Sequence, residues 1–168
     1  MNEYTEKERS DKDKYAASTV FYEKILEAES IAMINIINSI NNHTQGYLEA
    51  FFPDHPISAR LLPFKELHSG KKSKEKPQIN IQVEYKEMEI DLRALSGGEL
   101  SRVILAFTLA LGEIFNTPLL LLDECTSSLD QELTTTVTSA IKETYADKMV
   151  IIIAHQVVSG LFDREIKV

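Results

Sequence analysis

From Tyr15 to Ile40 the chain contains neither proline nor glycine, and Thr19, Leu26, Met33 and Ile40 recur at seven-residue intervals, with Ile37 beginning a second row. That spacing predicts a helix over 15–42 whose stripe fits either a coiled-coil seam or a long helix packed on its own domain. Asn41-Asn42 and Gly46 read as its end. Residues 1–14 are charged, show no apolar period and are expected to be flexible. Tyr47 to Phe52 adds a helical turn that Pro53 stops. Ile57 to Phe64 then reads as a strand. In Gln78 to Tyr85, Ile79, Ile81, Val83 and Tyr85 alternate with polar residues, the period of a half-buried strand. Met88 to Leu92 is expected to return beside it as a hairpin, so that 43–94 forms a β-rich linking region.

Beyond Leu95 the period changes. Leu100, Val103, Ile104, Phe107, Leu111 and Ile114 trace one helical face that ends before Asn116-Thr117-Pro118. Leu119 to Leu122 is an unbroken apolar run, as expected of a strand covered on both sides. Gln131 to Tyr145 reads as a helix despite three consecutive threonines, Met149 to Ala154 as a second apolar strand, and Glu165 to Val168 as a short last one. Strand, helix and strand in that order imply a βαβ unit with parallel strands. The fold class is therefore α/β, a mainly parallel sheet flanked by helices, with a smaller hairpin region and a long N-terminal helix.

Composition narrows this further. A chain of 168 residues, 43% hydrophobic and 26% charged, buries one core and is most simply a single domain over 1–168. No apolar run is long enough to span a bilayer, and the polar first residues do not make a secretory signal. Cys125, the single cysteine, leaves no internal disulfide and fits a reducing compartment, so an intracellular location is expected. The net charge of −8 argues against a surface built as a whole for nucleic acid. Lys65, Lys71, Lys72, Lys74 and Lys76 form a local basic segment, read first as a solvated loop and second as a phosphate-backbone contact.

Three short segments carry candidate chemistry. Leu95-Ser96-Gly97-Gly98-Glu99 immediately precedes the helix. Its glycines let a ligand approach the backbone, Ser96 is an N-cap or a hydroxyl donor, and the helix start favours anions. A plain capped turn explains the same residues equally well. Leu119 to Glu124 sets Asp123 and Glu124 at the C-terminal end of a buried strand, where open α/β sheets bind ligands. There an Asp can hold Mg²⁺ and an adjacent Glu can orient or deprotonate a water, although an acidic strand-to-loop turn needs no such role. Asp130 is an N-cap candidate for the next helix. Ile151 to Gln156 ends the following strand with His155, and side-by-side parallel strands would bring His155 near Glu124 as a phosphate contact.

In order and spacing these pieces resemble the ABC ATPase superfamily. Leu95 to Glu99 is similar to its signature motif and Leu119 to Glu124 to its Walker B strand with the catalytic glutamate. Ser127-Ser128-Leu129-Asp130 resembles the D-loop, and His155 falls where the switch histidine belongs. The stretch Leu95-Ser96-Gly97-Gly98-Glu99-Leu100-Ser101-Arg102 looks more like SMC and DNA-repair coiled-coil ATPases than transporters, and the 15–42 helix matches the point where their coil returns to the head. The resemblance implies ATP and Mg²⁺ as cofactors, with Asp123 holding the metal and Glu124 and His155 catalytic. Ser96, Gly97, Gly98, Glu99 and Asp130 would contact nucleotide, the signature residues reaching the γ-phosphate held by an opposite head.

The departure from the family is equally specific. No Gly-x-x-x-x-Gly-Lys-Ser/Thr string occurs; the single Gly-Lys pair, Gly70-Lys71, lacks its partners, and no convincing Q-loop is present. The resemblance therefore implies a C-terminal half of a head, an ATP hydrolase inactive without an N-terminal lobe carrying Walker A. The implied partners are that lobe, a second head in an ATP-bridged dimer and DNA through the full assembly, with no membrane, in the cytoplasm, nucleus or nucleoid. Two other readings compete: a nucleotide-binding half of a transporter-type protein, and a noncatalytic interaction domain that keeps the fold.

Overall fold

The computed structural model describes residues 2–65, 76–154 and 160–166. Helix α1 (Asn2–Phe51) leads into β1 (Ile57–Lys65), β2 (Lys76–Tyr85), β3 (Met88–Ile90) and a 3₁₀ turn at Leu92–Ala94. Then come α2 (Gly97–Ile114), β4 (Leu119–Asp123), α3 (Gln131–Thr144) and β5 (Met149–Ile153). The chain divides into two compact units, residues 1–36 and 37–168, where a single domain was expected.

In the first unit the expected flexible stretch 1–14 is helical from Asn2 onward. Its charges are spaced to support a helix: Lys12 Nζ lies 2.9 Å from Glu8 Oε1, an acidic-before-basic pair one turn apart. Tyr15, Phe21, Tyr22, Ile25, Leu26 and Ile31 are all exposed there. At the other end α1 passes through Asn41-Asn42 and Gly46 and stops at Phe51. Asn41 does not compete for its own helix because its amide is engaged elsewhere. Its Nδ2 donates to Leu61 O at 3.0 Å and its Oδ1 accepts from Leu61 N–H at 2.7 Å, clipping β1 to the helix. Gly46 costs about 1 kcal/mol in a helix, and buried Thr44, Tyr47, Leu48 and Phe51 around it offset that cost.

β1, β2 and β3 form an antiparallel sheet in that order. The β2–β3 hairpin turns on two residues, Lys86 and Glu87, at φ 51° and 64°, the left-handed pair that suits strand twist. β4 and β5 pair in parallel from Leu119↔Met149 to Asp123↔Ile153. The parallel part is thus two-stranded among the described residues, and residues 160–166 contain no strand. One core joins α1, both sheets, α2 and α3 in the second unit, through Leu48, Phe51, Ile57, Ala59, Val83, Val103, Leu109, Leu120, Leu122, Val137, Ile141 and Tyr145.

Among the described residues β4 is covered on one face only. Leu120 and Leu122 are buried, whereas Leu119 and Leu121 are 44% and 65% exposed. β5 repeats the pattern, with Met149, Ile151 and Ile153 exposed and Val150 and Ile152 packed on the core. Alternation along a strand sends successive side chains to opposite faces, so one face of this sheet is packed and the other is bare and apolar.

Tyr145 closes the core beneath α2. Its hydroxyl donates to Leu109 O, and a Cβ at Gly112 would lie 2.7 Å from that hydroxyl and 3.3 Å from Thr117 Oγ1. Gly112→Ala is therefore expected to cost about 1–3 kcal/mol by overpacking. Urea unfolding would read it, and adding Tyr145→Phe should recover part of the loss; a fully additive double variant would place the strain elsewhere.

Candidate active site

The signature-like turn is built as a capping box. Ser96, in extended backbone at φ −64° and ψ 160°, starts α2, and its Oγ accepts from Glu99 N–H at 3.3 Å. In return Glu99 Oε2 accepts from the Ser96 N–H and from the Ser96 hydroxyl, each at 2.7 Å. These bonds, hydroxyl first and then backbone N–H, hold the Glu99 carboxyl below the ordinary glutamate range. A Cβ at Gly97 would meet nothing, so nothing among the described residues demands a glycine there. At Gly98 a Cβ would stand 3.4 Å from Ser128 O and 3.5 Å from Ser128 Cβ, which puts the second glycine against the D-loop-like segment.

Asp130 also caps. Its Oδ1 accepts from Leu133 N–H at 2.8 Å and starts α3. Glu99, Arg102, Ser128 and Asp130 share an open cleft of about 460 Å³ with Phe52 and His55. The structure therefore brings the signature turn and the D-loop-like segment together.

Asp123 and Glu124 do not line that cleft. Asp123 ends β4 opposite Ile153 and, by alternation, lies on the same bare face as Leu119 and Leu121. Glu124 continues the ladder for one more bond, its N–H donating to Ile153 O at 2.8 Å, and then turns sharply at φ 48°. A left-handed backbone is costly for a side chain of this kind, about 1–3 kcal/mol, and such positions concentrate at functional sites. Ser127 N–H to Glu124 O at 3.0 Å and Leu129 N–H to Thr126 O at 3.1 Å hold the turn. His155 lies outside the described residues, as does the lysine-rich segment 66–75.

A carboxylate at the end of β4 is the kind of ligand that Mg²⁺ can take. No cluster of three metal-ligating side chains occurs among the described residues, and Mg²⁺ typically takes one or two carboxylates and completes its shell with water and phosphate. Asp123 offers such a carboxylate. Burial pushes the Cys125 thiol up, and its side chain packs against the core.

A family model described as the RecF/RecN/SMC N terminal domain matches residues 7–162. The chain belongs to this family. Two viral relatives agree along nearly the whole chain. A protein 050L of Invertebrate iridescent virus 6 is 41% identical over 159 residues, covering 90% of this chain and 15% of its own length. A protein 094L of Invertebrate iridescent virus 3 is 36% identical over 160 residues, covering 94% and 18%. The chain thus spans less than a fifth of these relatives. Among solved structures, the Smc head domain with an extended coiled coil from Pyrococcus furiosus, bound to the C-terminal domain of ScpA, superposes with a TM-score of 0.68 at 21% identity. That match covers 88% of this chain and 37% of the other. An SMC ATPase described for ATP-driven dimerisation and DNA-stimulated activation gives 0.59 at 22%, covering 76% and 73%. The fold is that of an SMC-type ABC ATPase head with a long helix at its N-terminal side.

Reading the sequence singled out Ser96 to Glu99, Asp123, Glu124 and Asp130, all placed in this SMC-type fold at element ends. It gave no role to Arg102, whose guanidinium lies over the Phe52 ring in the same cleft. A cation one turn beyond Gly98 was the available signal.

The capping box carries a pH dependence. Because the folded Glu99 carboxyl titrates below its unfolded value, its stabilisation is complete above the ordinary glutamate range and fades as pH falls through the lowered value. The melting-temperature gap between wild type and Glu99→Gln should be largest near neutrality and shrink towards pH 3. A gap independent of pH would contradict the box as the source.

Proposed function

We propose that this chain is the C-terminal part of an SMC-type ATPase head that binds and hydrolyses ATP together with an N-terminal lobe supplying the Walker A loop. What carries this reading is the Asp123-Glu124 pair at the C-terminal end of a parallel strand whose outer face is bare and apolar. Parallel strands are ordinarily covered on both faces. Leu119, Leu121, Met149, Ile151 and Ile153 supply the apolar surface that a second lobe would cover. A lobe seated there adjoins Asp123, the residue that needs a phosphate-bound partner to complete a metal site.

Within that head, bound Mg²⁺ would neutralise charge on the phosphates, and Asp123 would hold it through its carboxylate. Glu124, turned out of the ladder by its left-handed backbone, would orient a water and accept its proton. His155 would contact the terminal phosphate. Ser96, Gly97, Gly98, Glu99 and Asp130 would face the nucleotide of a second head. The open space at Gly97 supports this, since a ligand rather than the chain's own packing would then require the glycine. ATP would hold two heads together and hydrolysis would release them, in the service of DNA repair or chromosome maintenance. Among the described residues no helix is long and apolar enough to cross a membrane.

Glu124→Gln in the assembled head should leave ATP binding intact and lower turnover by about 10²–10⁴-fold, the usual contribution of a general base. Paired heads should then persist in sedimentation with ATP. Near-normal phosphate release would remove Glu124 from the role. Ser96→Arg should abolish ATP-dependent pairing while one head still binds nucleotide, because a bulky cation opposes the helix start and fills the space for the phosphate. Pairing at wild-type strength would leave Ser96 as a cap alone.

A further inference from the structure

The C-terminal end of α1 lacks its own electrostatic support. Its last turn contains no basic residue, and Phe51 sits where carbonyls run out of intrahelical partners. A cation from another element fills the gap: Arg102 Nη1 donates to Phe51 O at 2.8 Å. The same guanidinium donates through Nε to Gly98 O at 3.3 Å, in the first turn of α2. Its central carbon stands 4.0 Å from the Phe52 ring centroid, a stacked cation–π contact. Two divergent hydrogen bonds and one stacked face fix the plane of the group. Only a guanidinium makes all three, since a lysine ammonium is a point donor without a face to stack.

On its other side Gly98 packs against Ser128, within 3.4 Å of where a Cβ would stand. A continuous strut therefore runs from Phe51 through Arg102 and Gly98 to Ser128. Partial burial pushes the Arg102 guanidinium below its ordinary range, and the Glu99 and Asp130 carboxylates offset part of that penalty. Through these two bonds a displacement of the Phe51 carbonyl would be carried to the Gly98 carbonyl, two residues from Ser96. By reciprocity of binding free energies, a ligand that favours one position of the signature turn would favour the position of the α1 end that goes with it.

We propose that Arg102 is a positioning residue that ties the signature turn to the end of α1, so that head pairing depends on how that helix end is held. This rests on the reading that Ser96 to Glu99 contact the nucleotide of an opposite head.

The test uses the complete head with its Walker A lobe, comparing wild type with Arg102→Lys, Arg102→Gln and Phe52→Leu. ATP affinity is measured in a Ser96→Arg background, where heads stay single, and ATP-dependent pairing and melting temperature in the parent. Arg102→Lys and Arg102→Gln should each weaken pairing by about tenfold or more, within the range of coupling between linked sites. ATP affinity should change by less than about twofold, and lysine should not rescue despite keeping the charge. Phe52→Leu, which keeps apolar bulk but loses the stacked face, should fall between. Wild-type pairing by Arg102→Lys would overturn the proposal, as would loss of pairing that merely follows melting temperature across the series. If Ser96→Arg alone leaves pairing intact, the reading of the signature turn fails and this inference with it. If Ser96→Arg abolishes pairing and the Arg102 variants do not weaken it, this inference fails by itself.

Discussion

Parallel pairing of β4 with β5 is the constraint from which the rest of the second unit follows. Two apolar five-residue strands lie in register from Leu119↔Met149 to Asp123↔Ile153, and alternate residues of each join one core with α1, α2 and α3. The pairing sends both strands out at the same edge, which places Asp123 there and lets Glu124 take one last ladder bond before turning. It also leaves Leu119, Leu121, Met149, Ile151 and Ile153 outward. A slip of one residue would exchange the faces, burying Asp123 and exposing Leu122. Register therefore fixes both the site and the bare surface beside it.

The signature turn and the D-loop-like segment depend on a different device, the helix cap. Ser96 and Asp130 each satisfy the first free N–H groups of a helix, and their caps meet around Gly98 and Ser128. A cap and a ligand contact use the same donors. The Ser96 hydroxyl and N–H are both held by Glu99 in this structure, so under the proposed reading a phosphate reaching this turn would have to exchange with a carboxylate.

Much of this was legible in the residues. The alternation of Ile79, Ile81, Val83 and Tyr85 gave β2, and the apolar runs before Asp123 and Ala154 gave a parallel pair, as found. The helix starts at Ser96 and Asp130 and the strand end at Asp123 were legible because caps and strand ends carry sharp sequence signals. The misses have physical causes. Asn41-Asn42 and Gly46 read as a helix stop, yet Asn41 spends its amide on Leu61 and buried neighbours carry the helix to Phe51. The charged start read as flexible, although Glu8 and Lys12 are spaced to pair on a helix. Two-sided cover was inferred for β4 because a run of leucines cannot reveal that its second cover is absent from these residues. Arg102 was invisible as a strut because its partners, Phe51 and Phe52, lie about fifty residues away and meet it only in the fold.

The central claim is that the nucleotide site is divided between this chain and another lobe. Tight triphosphate binding needs a loop of backbone N–H groups and a lysine around the phosphates, and this sequence contains no such string. The direct measurement is calorimetry with Mg-ATP, paired with a phosphate-release assay, on the purified chain with and without a lobe carrying Walker A. The account predicts no tight binding and no turnover by the chain alone, and turnover that requires Glu124 once the lobe is added. Micromolar affinity for ATP, or Glu124-dependent hydrolysis, by the lone chain would contradict it.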